Sequence, residues 1–449
     1  MWSGDLPAWT GKLAKATALI AALSTMVFCC GWGGLAFEWH GFGGSSTAAH
    51  QGAGTLPARI GAPSPWTPDA AEAPIGAASV LYTSNTWYPD ESDWLAGLVA
   101  RSDDTYRVAQ WSGAAGMSAV LSPDGARLAF EGGIADLATG KVTGWGSRWG
   151  EGVSVEPQAW SPDGGTVALL AGDWLDPGVN NDTTKLFLFD VATGTPREVA
   201  PLGRTGALSG WTAAFSADGA RLAYQNGDRL SVLTLADGTT ADVPLPAGAR
   251  LAGKGAWTRD GRGLLVVSGA ECDCGDHPIR WTVTTISATD GAQTGTAYTR
   301  DGIYALRVLG WWPSGQPVAV EYTPIEDTAP TVFDKPDSQY DLTSQNSIEA
   351  ARLINLGTGA RLTAGDELGI AGDVESIDVA DGVLARGEIR PGSPPLLDVD
   401  GIVLALLGIL SLATLVLLSL GTWQVIAGHL SRRRRRDAAG RPPLGGGGV

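Results

Sequence analysis

Four histidines, four cysteines and a surplus of carboxylates are what this 449-residue chain offers for chemistry, and their placement narrows the options. His40, His50 and His429 lie beside uncharged apolar stretches, which leaves His277 as the imidazole in the body of the chain. A Ser-His-Asp hydrolase would have to use it, yet no G-x-S-x-G elbow accompanies it. No G-x-G-x-x-G follows a strand-like run, and no P-loop is evident. His277 stands in Glu271-Cys272-Asp273-Cys274-Gly275-Asp276-His277, a donor set that a soft metal could use. Chance surface clustering, or an oxidised Cys272–Cys274 pair, are the simpler readings. No C-x-x-C…C-x-x-C pattern argues for zinc, so no metal ligand is assigned. Cys29 and Cys30 lie in an apolar run, where they are inert or lipidated.

The carboxylates gather with aromatic residues in a few stretches. Trp87, Tyr88, Asp90, Glu91, Asp93 and Trp94 form one, Trp174, Asp176 and Asp182 another. Asp273 and Asp276 flank His277, and Glu326, Asp327, Asp334, Asp337 and Tyr340 form the last. A glycosidase needs a carboxylate pair, but with so many candidates none can be singled out as catalytic. Residues 173–182 hold enough oxygen donors for Ca²⁺ but lack the EF-hand spacing and its closing Glu, so a solvated polar loop explains them and no cofactor is assigned. The candidate binding set is therefore Trp87, Tyr88, Asp90, Trp94, Trp174, Asp176, Asp182, Asp276, His277 and Tyr340.

What must position these residues is a repeat. Trp160-Ser161-Pro162-Asp163-Gly164-Gly165 leads into an apolar run. Leu121-Ser122-Pro123-Asp124-Gly125, Phe215-Ser216-Ala217-Asp218-Gly219 and Trp257-Thr258-Arg259-Asp260-Gly261 do the same, with a shorter copy at Trp312-Pro313-Ser314-Gly315. Pro sets φ, Asp can bond its own backbone and Gly accepts positive φ, so each copy is a strand-turn-strand unit. A second mark follows, clearest in Asp190-Val191-Ala192-Thr193-Gly194 and echoed at Leu137-Ala138-Thr139-Gly140, Leu235-Ala236-Asp237-Gly238, Thr289-Asp290-Gly291 and Leu356-Gly357-Thr358-Gly359. Four short strands in about 40 residues is the period of a β-propeller blade.

With these turns in view, the sequence resembles the TolB-type and WD-repeat-like propellers, over roughly residues 78–390. The resemblance implies an all-β ring in which Asp124, Gly125, Asp163, Gly164, Asp218, Gly219, Asp260 and Gly261 are structural turn residues. It implies little about activity. The turns give at least five repeats and the ends one or two more, so about six four-stranded blades are expected, with seven as the alternative. Residues 374–379 and 383–386 are expected to pair with early strands around Val80-Leu81-Tyr82. Trp160, Trp211 and Trp257 read as packing residues rather than ligand platforms.

Asp124, Asp163, Asp218, Asp260 and Ser314 are 39, 55, 42 and 54 residues apart, so some repeats carry insertions. Residues 84–93, 173–184, 271–279 and 324–347 all fall between second and third strands. Because strands alternate in direction, these segments share one face, opposite the Pro/Asp/Gly turns. Insertions collected on one face mark a partner site.

Both ends point to a membrane. Residues 16–37 carry no charge and are long enough to cross a bilayer, as an uncleaved anchor or a cleaved signal. Residues 402–427 form a second apolar span, followed by Arg432, Arg433, Arg434, Arg435 and Arg436. These arginines, with Lys12 and Lys15, place both termini in the cytoplasm and the propeller outside, with anionic lipid as a partner. The expected order is a short N-terminus (1–15), a transmembrane helix (16–37), a flexible linker (38–77), the propeller (78–390), a linker (391–401), a second transmembrane helix (402–427) and a basic tail (428–449). Residues 41–397 hold 23 Lys+Arg against 42 Asp+Glu, a balance of −19, which argues against nucleic acid as a partner. The expected function is binding of a protein, peptide or glycan through the insertion-bearing face. The alternative is a carbohydrate-active hydrolase using carboxylates in the central channel.

Overall fold

Each Pro/Asp/Gly turn closes on itself by the same short circuit. Ser122 Oγ donates to Asp124 Oδ1 (2.7 Å), which also accepts the Ala126 N–H (3.0 Å), while the Arg127 N–H donates to Ser122 Oγ (2.9 Å). Ser161 with Asp163, Ser216 with Asp218 and Thr258 with Asp260 repeat it. The glycine that follows each Asp has φ between 66° and 69°, the left-handed region that side chains avoid. Such a turn reverses the chain, so the flanking strands pair antiparallel.

The computed structural model describes residues 54–64, 66–85, 94–111, 114, 119–145, 149, 153–172, 184–202, 211–227, 229–274, 278–325, 348–365, 374–395 and 399–439. The chain divides into Met1–Ala49 and His50–Val449, and every described residue belongs to the second unit. Short edge strands β1 (Leu56–Pro57) and β2 (Arg59–Ile60) come first. Then follow β3 (Ala78–Asn85), β4 (Trp94–Ala100) and β5 (Tyr106–Ala109). Four complete blades come next. They are β6 (Val120–Leu121) to β9 (Lys141–Thr143) through β7 (Arg127–Phe130) and β8 (Gly133–Asp136); and β10 (Ser154–Trp160), β11 (Thr166–Gly172), β12 (Lys185–Asp190) and β13 (Thr195–Pro201). After them come β14 (Ala213–Phe215), β15 (Arg221–Asn226), β16 (Arg229–Thr234) and β17 (Thr240–Val243); and β18 (Ala249–Leu251), β19 (Gly263–Glu271), β20 (Ile279–Ser287) and β21 (Tyr298–Asp301). The next blade is β22 (Ala305–Trp311), β23 (Pro317–Pro324), β24 (Ile348–Asn355) and β25 (Arg361–Gly365), and β26 (Val374–Val379) returns to β3.

The result is a six-bladed ring. The first strands of successive blades touch one another, as β26 and β6, β6 and β10, and β10 and β14 do, so they line the axis. The closing blade joins the two ends of the chain: β26 lies innermost and pairs antiparallel with β3, Val379 opposite Val80 and Ile377 opposite Tyr82. The seventh blade is thus not needed. The partner expected for 374–379 is found, whereas 383–386 belongs to helix α1 (Asp381–Arg386) rather than to a strand. Asp381 in its first turn, Arg386 in its last and the left-handed Gly387 that caps it are helix-end signals that the apolar pattern of Val383 and Leu384 obscured.

The expected linker 38–77 is packed from its described start onward. Leu56, Ile60 and Ala62 are fully buried. β2 adds a fifth, parallel strand to β25, and β1 pairs parallel with β27 (Ile389–Arg390). Thr363 Oγ1 donates to the Pro57 carbonyl at 2.6 Å. Spaced apolar residues in a Gly/Pro-rich stretch are what an edge-covering strand needs.

After the ring comes α2 (Val399–Ala439), 41 residues long, of which Gly408–Arg432 is long and apolar enough to cross a membrane. It overruns both expected boundaries: the linker 391–401 ends inside it, and the tail from 428 continues it, so Arg432–Arg436 are helical. Among the described residues it is the one such helix, and residues 16–37 lie outside them.

Candidate functional site

The face that carries the Pro/Asp/Gly turns spends its polar groups on itself. Hydrogen bonds from Ser161, Ser216 and Thr258 and from nearby backbone N–H groups hold the carboxyls of Asp163, Asp218 and Asp260 below the usual range. At Asp124 burial pulls the other way, and the bonds from Ser122 and Ala126 outweigh it. Arginines then link turn to turn around the ring. Arg101 donates to the Asp124 carbonyl (2.6 Å), Arg127 to that of Gly164 (3.2 Å), Arg221 to that of Gly261 (2.5 Å) and Arg259 to that of Pro313 (3.2 Å). The second set of turns is equally self-contained: Asp190 Oδ1 takes both the N–H and the hydroxyl of Thr193, at 2.7 and 2.9 Å.

Around the axis, blades are stitched by side chains reaching neighbouring backbones. Trp160 and Trp257 are buried, and their indoles donate back to Val120 O (3.1 Å) and Ala214 O (2.9 Å) in the preceding blade. Forward links use amides: Gln158 Oε1 accepts the Thr212 N–H and Gln225 Oε1 the Leu251 N–H, both at 3.0 Å. Where the ring closes, Asp378 takes this role, accepting the Leu121 N–H at 2.9 Å. Its charge is met by Lys254, whose Nζ lies 2.9 Å from Asp378 Oδ1 and 3.5 Å from Asp381 Oδ1, and donates to Val379 O at 3.0 Å. Burial pulls the ammonium down, but Asp378 and Asp381 more than offset it and raise its pKa. Gly253 and Gly255 on either side of Lys254 let this backbone press against β22, where any Cβ would strike Val308 or Gly310. Arg307, fully buried, donates to Ile377 O at 2.7 Å. Trp211 stacks on Tyr322 with ring centroids 6.0 Å apart. Those two residues belong to non-adjacent blades, so this buried pair fills the middle of the ring rather than presenting a platform.

One carboxyl on an inner strand is handled differently. Glu156 lies near the start of β10, and its Oε2 is buried with no hydrogen-bond partner among the described residues. Burial, and then the nearby charge of Glu131, push its pKa up to about 8.

The candidate binding residues are mostly beyond this description. Trp87, Tyr88, Asp90, Trp174, Asp176, Asp182, Asp276, His277 and Tyr340 lie outside the described residues, as does the side chain of Trp94, whose backbone opens β4 opposite Asn85. What the strands do fix is where those segments attach. β3–β4, β11–β12, β19–β20 and β23–β24 are each antiparallel second-and-third strand pairs, so the segments between them leave the blades at the edge opposite the Pro/Asp/Gly turns. Cys272 and Cys274 are joined as a disulfide at the end of the β19–β20 hairpin.

A six-bladed propeller is the fold. No protein-family model and no curated protein matches the sequence. Solved structures do match: TolB from Acinetobacter baumannii is 14% identical with a TM-score of 0.43, covering 68% of this chain and 66% of that one, just under two thirds of its length. Oligogalacturonate lyase in complex with manganese is 12% identical, with a TM-score of 0.41 and coverage of 68% and 77%. The β-propeller domain of Myceliophteria thermophila Cps50 (Swd1) is 15% identical, with a TM-score of 0.32 and coverage of 56% and 86%. The likeness is one of fold.

Lys254, Arg307 and Arg390 were not anticipated. Arg390 pairs with Asp104 (2.8 Å), donates to Ala100 O (3.1 Å) and Asp103 O (2.6 Å), and also donates to the carbonyl of Thr55. The signal for Lys254 was present: Gly253-Lys254-Gly255 places one cation between two glycines just ahead of the Trp257 turn.

Proposed function

We propose that this chain is a membrane-anchored propeller that binds a protein, peptide or glycan partner outside the cell membrane, through the face that carries the inserted segments. The observation that carries this reading is the asymmetry of the two faces. On one, the turn carboxylates and arginines are consumed by internal bonds. On the other, the longest segments of the chain leave the blades, and their composition is acidic and aromatic. Rigid scaffolds commonly present recognition segments this way. The anchor is α2, and a second span at 16–37 with both termini cytoplasmic completes the proposed topology.

The test is surface crosslinking and capture with the intact protein and with a variant whose residues 326–347 are replaced by a short Gly/Ser loop. Loss of a captured partner supports the reading, and an unchanged partner set counts against that face. Labelling of single cysteines at turn and insertion positions checks the topology. Reagent reaching them only from the cytosolic side overturns it.

A carbohydrate-active hydrolase is the second reading, and Glu156 is the observation that favours it, since a carboxyl held protonated near neutral pH is what a general acid requires. It would need a second carboxylate roughly 5–10 Å away. Asp378 is already committed to Lys254 and Leu121. Hydrolysis of acidic or neutral oligosaccharides that survives Glu156→Gln would remove this reading.

A further inference from the structure

The end of the β19–β20 hairpin brings together three atoms of the kind that ligate metals, from separate parts of a blade. Cys272 and Cys274 follow β19, whereas Asp301 closes β21, which the Arg280–Asp301 register sets beside β20. Both sulfurs and a carboxylate oxygen of Asp301 lie within 4.8 Å of one another. The carboxylate is held in place by a fork: Arg280 Nε–H donates to Oδ1 at 2.7 Å and Nη2–H to Oδ2 at 2.8 Å. Each oxygen keeps a second lone pair, and the guanidinium fixes the direction in which it points. The Cys272 N–H donates to Pro278 O at 2.9 Å, pinning the hairpin where the sulfurs leave it. Both cysteines are partly exposed, within reach of solutes.

We infer that Cys272, Cys274 and Asp301, once the disulfide is reduced, hold a thiophilic divalent cation, and that the disulfide is the closed form of this site. Two thiolates and one carboxylate are a donor set suited to Zn²⁺. They carry three negative charges, which the divalent ion and the Arg280 guanidinium neutralise together. Opening the site takes two electrons and two protons, both from two thiols that become a disulfide, or the electrons from a phosphine and the protons from the water whose oxygen it takes up as phosphine oxide, as the S–S bond becomes two S–H groups. Zinc then displaces those two protons to solvent as two Zn–S bonds form. The fourth position is left to water or to a donor from a bound partner.

The test uses the full-length chain in detergent with Cys29 and Cys30 changed to serine, so that one thiol pair remains. Reduced protein, freed of reductant without oxygen, is equilibrated with zinc alone and its metal content measured. Cobalt in place of zinc reports thiolate ligation by its charge-transfer absorption. About one zinc per reduced chain and none per oxidised chain is expected, with binding lost in Cys272→Ser and weakened tenfold or more in Asp301→Asn. Carboxymethylated, reduced protein replaces the serine variant should that variant not fold. Reduced protein that takes up no zinc, oxidised protein that keeps it, or an Asp301→Asn variant of unchanged affinity overturns the inference.

Discussion

Between the complete blades the polypeptide itself runs from one blade to the next, and around the axis neutral groups do the stitching: Gln158, Gln225 and the indoles of Trp160 and Trp257. At the seam, where β26 meets β3, the chain supplies no such covalent connection and the polar groups are charged. Asp378 stands where a glutamine stands elsewhere, with Lys254 beside it; Arg307 binds the Ile377 carbonyl on β26, and Arg390 binds backbone carbonyls contributed by the other end of the chain. An amide suffices where two blades are already neighbours. A junction that must be found by diffusion uses groups whose loss is costly, because a buried charge without its partner is poorly tolerated.

That contrast can be broken most visibly at Asp378. Asp378→Ala leaves the buried ammonium with only the more distant Asp381 to balance it and is expected to cost about 3–5 kcal/mol, read by chemical unfolding, whereas the double change Lys254→Met/Asp378→Leu is expected to recover most of that loss. Arg390→Ala removes hydrogen bonds from a charged group and should cost about 2–3 kcal/mol, with faster hydrogen exchange at the Leu56 and Ala58 amides.

Glu156 sharpens the comparison with the opposite sign, being a buried carboxyl on an ordinary blade with no cation described beside it. Its folded pKa is raised to about 8 from an ordinary 4.5, so the folded state holds its proton more tightly. The stability it contributes is greatest below the unfolded pKa and falls as pH rises toward 8. Glu156→Gln should therefore stabilise the ring by up to about 4 kcal/mol near pH 8 and by little at pH 4, measured as a pH series of melting temperatures. Gln158→Ala, which unpairs the Thr212 N–H, is expected to cost about 1–3 kcal/mol. Asp163→Ala, on an exposed turn, should cost about 1 kcal/mol at neutral pH.

The turns were legible in the sequence because their chemistry is local. Ser-Pro-Asp-Gly makes its bonds within five residues and needs no neighbour to announce itself. The seam was harder to read. Val374–Val379 could be assigned to the closing blade from its apolar pattern, yet Asp378 and Lys254 are far apart along the chain, and only the ring brings them together. Residues 54–60 looked like tether because Gly and Pro dominate their surroundings, and their burial depends on a sheet edge contributed by β25 and β27. The disulfide was one of several readings of Cys272 and Cys274, and Asp301 could not be added to them without the pairing of β20 with β21. The inserted segments were placed on one face by spacing alone, since strand alternation is a property of sequence order.

The parallel pairing of β1 with β27 has a mechanical meaning. Chain enters β1 at Leu56 and leaves β27 after Arg390, so tension applied through the two ends pulls the strands in opposite directions along their length. The bonds from the Leu56 N–H to Glu388 O and from the Ala58 N–H to Arg390 O, both 2.8 Å, then share the load in shear instead of parting one after another as in a zipper. Pulled from its two ends, this sheet would yield only when both bonds give way together.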